Sequence, residues 1–442
     1  MKMNKLLLAL AASGIATSAF ATNGYFAHGN GMTAKGMAGA ATAMTKDAFG
    51  GANNPATMVW VGNRWDAGVD AFSPIRNATR SGSNQTAYGG GTLTLADDFL
   101  SGVNGSFDSA NELFGVPEFG YNKMINDKMS LGVTVYGNGG MNTDYGLAAH
   151  PGAGGASYNL LNGTTALGVD LMQLIIAPTV SYKVSEKTSV GISALLGYQQ
   201  FEAYGLQAFS AMSSSSANLT NNGTDSATGF GARVGFYHKV SDALSVGAAY
   251  ATKVDMSKFD KYKGLFAEQG NFDLAANWNA GLTFTPNEKV SIALDYQHIA
   301  YSDVKAVANP STNILTASLG ADAGAGFGWS DMEIFKLGVE YAVNPRLTVR
   351  AGYSHADSPI TARDVTFNIL APAVIEDHYT LGMTYALDKS TDLTVSYAHA
   401  VENSLTGNSL FTTLGGGYSA NSGTETLKMH QNSIGIAYSK KF

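Results

Sequence analysis

The clearest order in this chain is a strict alternation of apolar and polar side chains, which begins at Trp65. Trp65, Ala67, Val69 and Ala71 fall on one face of an extended segment, with Asp66, Gly68, Asp70 and Phe72 on the other. A period of two is the mark of a strand with one apolar face. The longest copy spans 271–285, where Phe272, Leu274, Ala276, Trp278, Ala280, Leu282 and Phe284 alternate with Asn271, Asp273, Ala275, Asn277, Asn279, Gly281 and Thr283. An unbroken apolar face with aromatic residues at both ends suits a strand that crosses a bilayer and meets both interfaces. Followed along the chain, the pattern predicts strands near 62–73, 114–123, 129–137, 172–184, 189–203, 228–240, 244–254, 271–285, 289–301, 332–343, 347–355, 377–387, 392–402 and 428–442. That is about fourteen, an even number, as bacterial outer-membrane barrels have.

The connections alternate in length. Short turns carry Asn126-Asp127, Ser185-Glu186-Lys187, Ser241-Asp242, Pro286-Asn287-Glu288, Asn344-Pro345-Arg346 and Asp388-Lys389-Ser390. Between them lie long polar loops near 74–113, 138–171, 204–227, 255–270, 302–331, 356–376 and 403–427. Short turns on one side and long loops on the other are the asymmetry of an outer-membrane barrel. The fold class is therefore all-β, a transmembrane antiparallel β-barrel. Its last strand alternates through Ile434, Ile436 and Tyr438 to a terminal Phe442, resembling the C-terminal aromatic signal that barrel assembly machinery recognises. Lys440 interrupts that apolar face, but a lysine at the membrane boundary extends its charge to the headgroups.

The first sixty residues break the pattern. Lys2 and Lys5, the apolar run Leu6 to Ala16 and the small-x-small site Ala19-Phe20-Ala21 read as an export signal over 1–21. The run is too short to span a bilayer, which needs about 20 residues. Residues 22–61 are rich in Gly and Ala, with no alternation, and contain Asp47-Ala48-Phe49-Gly50-Gly51-Ala52-Asn53-Asn54-Pro55-Ala56. Small residues let backbone pack closely on backbone. Such a segment makes a poor free-standing domain and a plausible hatch inside the barrel of 62–442. Asn54-Pro55-Ala56 is expected at the periplasmic side, where the proline fixes the backbone as the hatch joins the first strand.

Composition narrows the function. Only 14% of the 442 residues are charged, against about 25% in an average soluble protein. Gly 52, Tyr 21 and Phe 21 stand beside a mean hydropathy of -0.02, as alternating faces require. A net charge of -7 disfavours nucleic acid, which selects basic surfaces. Absence of cysteine excludes disulfides, thiolate catalysis and thiolate metal sites. The eight histidines (His28, His150, His238, His298, His355, His378, His399 and His430) fall in no catalytic motif. Asp97-Asp98 and Glu376-Asp377 match no cation loop, and Gly89–Gly91, Gly415–Gly417 and Ser213–Ser216 mark bends and flexible loop with no phosphate cradle. No enzyme, cofactor or metal is expected.

Transport remains, and the predicted lumen bears on it. Inward positions include Phe72, Tyr136, Ile175, Leu195, Phe201, Tyr237, Ile299 and Tyr301, with Arg233, Lys336 and Arg350 among them. These side chains either form an apolar ligand pocket or simply fill a narrow barrel. The basic groups can meet a ligand carboxylate or pair with Asp295 or Glu340. Two outer loops carry Leu206, Phe209 and Met212, and Phe259, Tyr262, Leu265 and Phe266, the latter group at helical spacing. They read as a capture groove for an apolar ligand or as packing between the loops. In the third strand, Asn138, Gly139 and Gly140 follow Tyr136-Gly137, a run that either kinks the strand or ends it.

These features together resemble the FadL/TodX family of outer-membrane transporters of long-chain fatty acids and aromatic hydrocarbons. The carrying motifs are Gly36-x-x-Gly39-Ala40-Ala41, Asp47-Ala48 and Asn54-Pro55-Ala56, with Val116-Pro117 and Phe442 in support. The resemblance implies a fourteen-stranded barrel plugged by its N-terminus. It implies capture between the third and fourth outer loops, an interior pocket, and sideways exit at a kinked third strand. The expected partners are a hydrophobic small molecule, outer-membrane lipid and lipopolysaccharide, and the assembly machinery, for a monomer in the outer membrane of a Gram-negative bacterium. A diffusion porin and a surface adhesin are the competing readings.

Overall fold

The structure is a computed structural model that describes residues 23–83, 103–150, 156–411 and 422–442. The export signal, Asp97-Asp98, Gly89–Gly91 and Gly415–Gly417 lie outside the described residues. Fourteen long strands form the wall. In chain order they are β1 (Arg64–Ser83), β2 (Phe114–Asn126), β3 (Met129–Tyr145), β4 (Leu167–Lys183), β5 (Thr188–Tyr204), β6 (Asp225–Lys239) and β7 (Leu244–Ala251). There follow β8 (Asn277–Asn287), β9 (Val290–Ile299), β10 (Met332–Asn344), β11 (Leu347–Ala356), β12 (Asp377–Ala386), β13 (Thr391–Asn408) and β14 (Ser422–Lys441). Each pairs antiparallel with its neighbours in sequence, and β1 pairs with β14 from Arg64↔Lys441 to Ser83↔Ser422, which closes the ring. Closure leaves no strand of the wall at the margin of an open sheet, as a bilayer demands.

Alternation sorts the two faces. On β10, Phe335, Leu337, Val339 and Tyr341 are exposed on the outer face, while Ile334, Lys336, Gly338 and Glu340 are buried inside. Aromatic residues gird both rims: Trp278, Tyr296, Phe335, Tyr353 and Tyr379 at one, Trp65, Tyr438, Tyr121 and Phe442 at the other. The short turns share one device. Asn126, Asn287 and Asn344 each accept the backbone N–H groups two and three residues on, at 2.9–3.1 Å. This local capping is why Asn recurs at these turns.

Two expectations need correction. The wall strands β1, β3, β4, β13 and β14 run well past the bounds their alternation suggests. A span needs about 9–11 residues, whereas β1 and β14 each have 20. Above the bilayer lipid no longer holds the outward face apolar, so the lipid-facing period that marks a strand disappears. The second concerns 271–285: β8 begins only at Asn277. Trp278 and Phe284 face outward at 40% and 42% exposure, yet Phe272 and Leu274 are buried at 0% and 2%. The chain before Asn277 folds over the lumen, with Leu274 bridged to Val254, and so the apparent single face is two faces.

Candidate functional site

The lower lumen is filled by residues 23–63, which hold little regular structure: one helical turn at Met32–Lys35 and a 3-10 helix at Pro55–Trp60. An irregular backbone cannot satisfy its own N–H groups. Here the wall supplies the acceptors. Glu118 accepts from the Gly31 amide at 3.1 Å, Thr380 from Ala38 at 2.9 Å and Asp66 from Ala48 at 2.8 Å. Asp295 accepts from Ala41 and Thr42, both at 2.8 Å. The buried Lys35 ammonium meets Asp70 of β1 at 2.6 Å.

The Asn54-Pro55-Ala56 corner lies against β4, β5 and β6. Asn54 caps the 3-10 helix by accepting the Ala56 amide at 3.1 Å, and its Nδ2 donates to the Thr42 and Phe236 carbonyls at 2.8 and 2.9 Å. Pro55 occupies the first turn, where its missing N–H is not needed. Wall glycines make room: a Cβ on Gly235 would lie 2.1 Å from Asn54 Oδ1. Asp47 accepts the Phe49 amide at 3.0 Å in a local turn, and burial with the nearby Asp66 pushes its carboxyl up to about 6.

At the third strand, β3 continues through its glycines to Tyr145 and stays paired with β4 along its length, with a register shift between Gly137 and Gly139. Its ladder to β2 runs from Asn126↔Met129 only as far as Phe119↔Val135. Beyond that, the Phe114–Glu118 half of β2 pairs with β1 alone. Pro117 in that half lacks a ladder N–H, which suits a strand with an unpaired edge. Hatch residues stand at the freed edge of β3 instead. The Ala27 amide donates to the Asn138 carbonyl at 3.0 Å, and the Gly140 amide to the Tyr25 carbonyl at 3.2 Å. Ala27 also packs against Phe72, Phe114 and Val116.

Above the hatch, the outer loops turn their apolar residues inward. Leu206, Phe209, Phe259, Tyr262 and Phe266 are all buried, and Met212 and Leu265 pack against them. The helical spacing of Phe259, Tyr262, Leu265 and Phe266 is realised only in short turns, with 3-10 geometry at Asp260–Tyr262. Phe259, Tyr262 and Phe266 surround Phe201 of β5 with ring centroids 5.5, 4.8 and 4.6 Å away. Leu206, Phe209, Leu265 and Phe266 join Phe201 and Val169 around a small apolar cavity of about 40 Å³. Phe327, Phe367 and Leu370 also line it. These come from the stretches 302–331 and 356–376, which mean polarity marked as plain polar loops. Their signal was present in the apolar runs Phe327-Gly328-Trp329 and Ile369-Leu370-Ala371.

The predicted lumen residues do not gather into one pocket. Phe201 belongs to the outer cavity, while Phe72 sits in the small cluster beside Ala27. Tyr237 is far below, against Trp60 at 5.6 Å. Ile175, Leu195 and Ile299 are buried in the main apolar core. Tyr136, Asn138, Arg233 and Lys336 line a second, polar cavity between the wall and the hatch. The basic groups are engaged there: Arg233 donates to the Gly51 carbonyl at 3.2 Å and Lys336 to that of His28 at 3.1 Å. Arg350 pairs with Glu340 at 2.8 Å. The hatch occupies the volume in which a single pocket was expected.

A sequence profile of the family described as "Outer membrane protein transport protein (OMPP1/FadL/TodX)" matches residues 8–433. The chain belongs to the FadL/TodX family. It is thus a transport protein of the bacterial outer membrane, and this family is not one of enzymes. No match was found among curated proteins. Among solved structures it is similar to the toluene transporter TodX of Pseudomonas putida, at 17% identity and a TM-score of 0.65, over 94% of this chain and 99% of that one. It is also similar to a FadL homologue of Pseudomonas aeruginosa, at 15% identity and a TM-score of 0.64, over 95% and 100% of the two chains. The toluene transporter TbuX of Ralstonia pickettii matches at 18% identity and a TM-score of 0.61, over 94% and 99%. At these identities the likeness speaks for the FadL/TodX barrel itself, while the loops and lumen are this chain's own.

Proposed function

We propose that the protein admits hydrophobic small molecules, aromatic hydrocarbons or long-chain aliphatic compounds, passively across the outer membrane. The ligand is captured in the apolar cavity beneath the outer loops and leaves sideways between β2 and β3. The observation that carries this reading is the seam itself: β3 drops its ladder to β2 after Val135 while keeping β4, and hatch residues Tyr25–Ala27 stand in the gap. A barrel in lipid has no tolerance for unpaired backbone, so a built break in the ladder calls for a purpose. Similarity to TodX and to a FadL homologue supports the choice of ligand. Residues 1–21 serve as the export signal.

Because the chain has no native cysteine, the seam can be locked cleanly with a disulfide between Ala27→Cys and Val116→Cys. Oxidised protein in proteoliposomes should lose uptake of a fluorescent long-chain probe, and reductant should restore it. Equal uptake in both redox states, with the cross-link verified by mass, would reject the lateral route.

A further inference from the structure

The lumen wall between the two cavities contains an uncharged polar step. Gln173 of β4 and Gln199 of β5 face each other across the ladder, and both side chains are completely buried at 0% exposure. Asn138, the bulged residue of β3, donates from Nδ2 to Gln173 Oε1 at 3.0 Å. That leaves Gln173 Nε2 and both amide atoms of Gln199 with no protein partner. Leaving buried donors and acceptors unmade costs free energy, and apolar side chains of similar shape avoid that cost. The same wall uses them at neighbouring inward positions, Leu171, Ile175 and Phe201. The amides also stand at a junction: Phe201, one inward position from Gln199, lines the outer apolar cavity, while Asn138 lines the lower polar one.

We propose that Asn138, Gln173 and Gln199 form a recognition step for a neutral, oxygen-bearing head group on an otherwise apolar ligand. The inference rests on the transport reading above and narrows its substrate. Two amide NH2 groups and one carbonyl acceptor match a hydroxyl or a protonated carboxyl, each of which both donates and accepts. A carbonyl is served by the donors alone. An ionised carboxylate fits these three amides poorly, because it has no proton to offer Gln199 Oε1 and the amides carry no charge to balance its own. Arg233 and Lys336 are engaged with hatch carbonyls, and Arg350 with Glu340. A pure hydrocarbon leaves the amides unsatisfied, and a site built to hydrogen-bond rejects the analogue that lacks the group.

The test compares 1-octanol with n-octane as competitors of a fluorescent hydrophobic probe, on the full chain held in amphipol. Gln173→Leu and Gln199→Leu should each weaken 1-octanol binding about tenfold, a loss of one charge-free hydrogen bond or slightly more. Binding of n-octane should be unchanged or tighter, which also shows that the variants remain folded. If 1-octanol affinity is the same in wild type and both variants, the amides hold only water and the inference fails. If wild type binds n-octane but not 1-octanol, the inference fails while the transport reading stands. If wild type binds neither compound, the transport reading fails and takes this inference with it.

Discussion

Asn54 ties three parts of the molecule together through one amide: its own helix, the hatch turn at Thr42 and the wall at Phe236. Asn54→Ala should weaken hatch docking by roughly 1–3 kcal/mol through the lost cap and the orphaned carbonyls. Lower urea resistance of the hatch, with normal heat-modifiable migration of the barrel, is the expected result. Two other hatch residues make docking respond to pH in opposite senses. Burial, reinforced by Lys35 and Lys336, holds the His28 imidazole down to about 3. An undocked hatch binds that proton from about pH 6.5 downward, so this group weakens docking as the pH falls below that value. Burial and Asp66 raise the Asp47 carboxyl to about 6. There the docked state binds the extra proton, so the Asp47 contribution grows as the pH falls through 6 and is lost as the pH rises. The two trends run in opposite directions between pH 7 and 5. His28→Gln should therefore dock more firmly at pH 5 than at pH 7, and Asp47→Asn less firmly, as urea midpoints followed by hydrogen exchange of hatch amides. Parallel pH profiles for the two variants would contradict this assignment.

At the scale of elements, β3 is a strand with two different edges. Its β4 edge is laddered throughout, whereas its other edge changes partner at Val135 from β2 to the hatch. Gly139 permits that exchange, because a Cβ there would lie 1.5 Å from the Tyr25 carbonyl. Gly139→Val should displace Tyr25–Ala27 while leaving the β4 ladder in place, and proteoliposome uptake of a hydrophobic probe should rise several-fold. An unchanged rate in an assembled barrel would mean that this hatch segment blocks nothing. The glycine run was visible in the sequence as a place where a strand must bend or stop. Which of the two occurs depends on a partner 113 residues away (139 minus 26), the bridge between Phe26 and Gly139, and no local pattern records it. Membrane-facing stretches such as Phe335–Tyr341 were legible because lipid enforces a period of two. Thr79–Ser83 was not, since water accepts either face. Phe272 and Leu274 misled for a different reason: the lid over the lumen is as apolar as the lipid face, and six residues of alternation cannot tell them apart. The residues proposed to capture ligand were legible as unexpectedly apolar loop positions. Their burial against Phe201 was not, because it requires the closed ring that brings β5 and both loops to one side.

For the molecule as a whole, the open question is how firmly a plug with so little internal structure stays inside a rigid wall. Hatch amides lean on wall carboxylates at Glu118, Asp66 and Asp295. The one fully buried lysine–carboxylate contact between hatch and wall is Lys35–Asp70 at 2.6 Å, with side-chain exposures of 4% and 1% among the described residues. The Lys46–Glu340 contact has a lysine 45% exposed, so screening leaves it little weight. A buried pair contributes little compared with well-packed apolar replacements, yet removing one member strands the other charge at a cost of about 3–5 kcal/mol. That asymmetry yields a prediction about conductance. In planar bilayers the wild-type protein should pass little current, since the hatch fills the lower lumen. Lys35→Met should strand Asp70 and favour the undocked hatch, giving frequent stepwise openings of barrel size. Adding Asp70→Asn removes the stranded charge, so the double variant should return toward the quiet wild-type trace. Openings as frequent in the double variant as in Lys35→Met would show that the lysine acts through packing of its aliphatic stem. A quiet Lys35→Met variant would place the hold on the hatch in its backbone contacts to the wall, with the ion pair contributing nothing to closure.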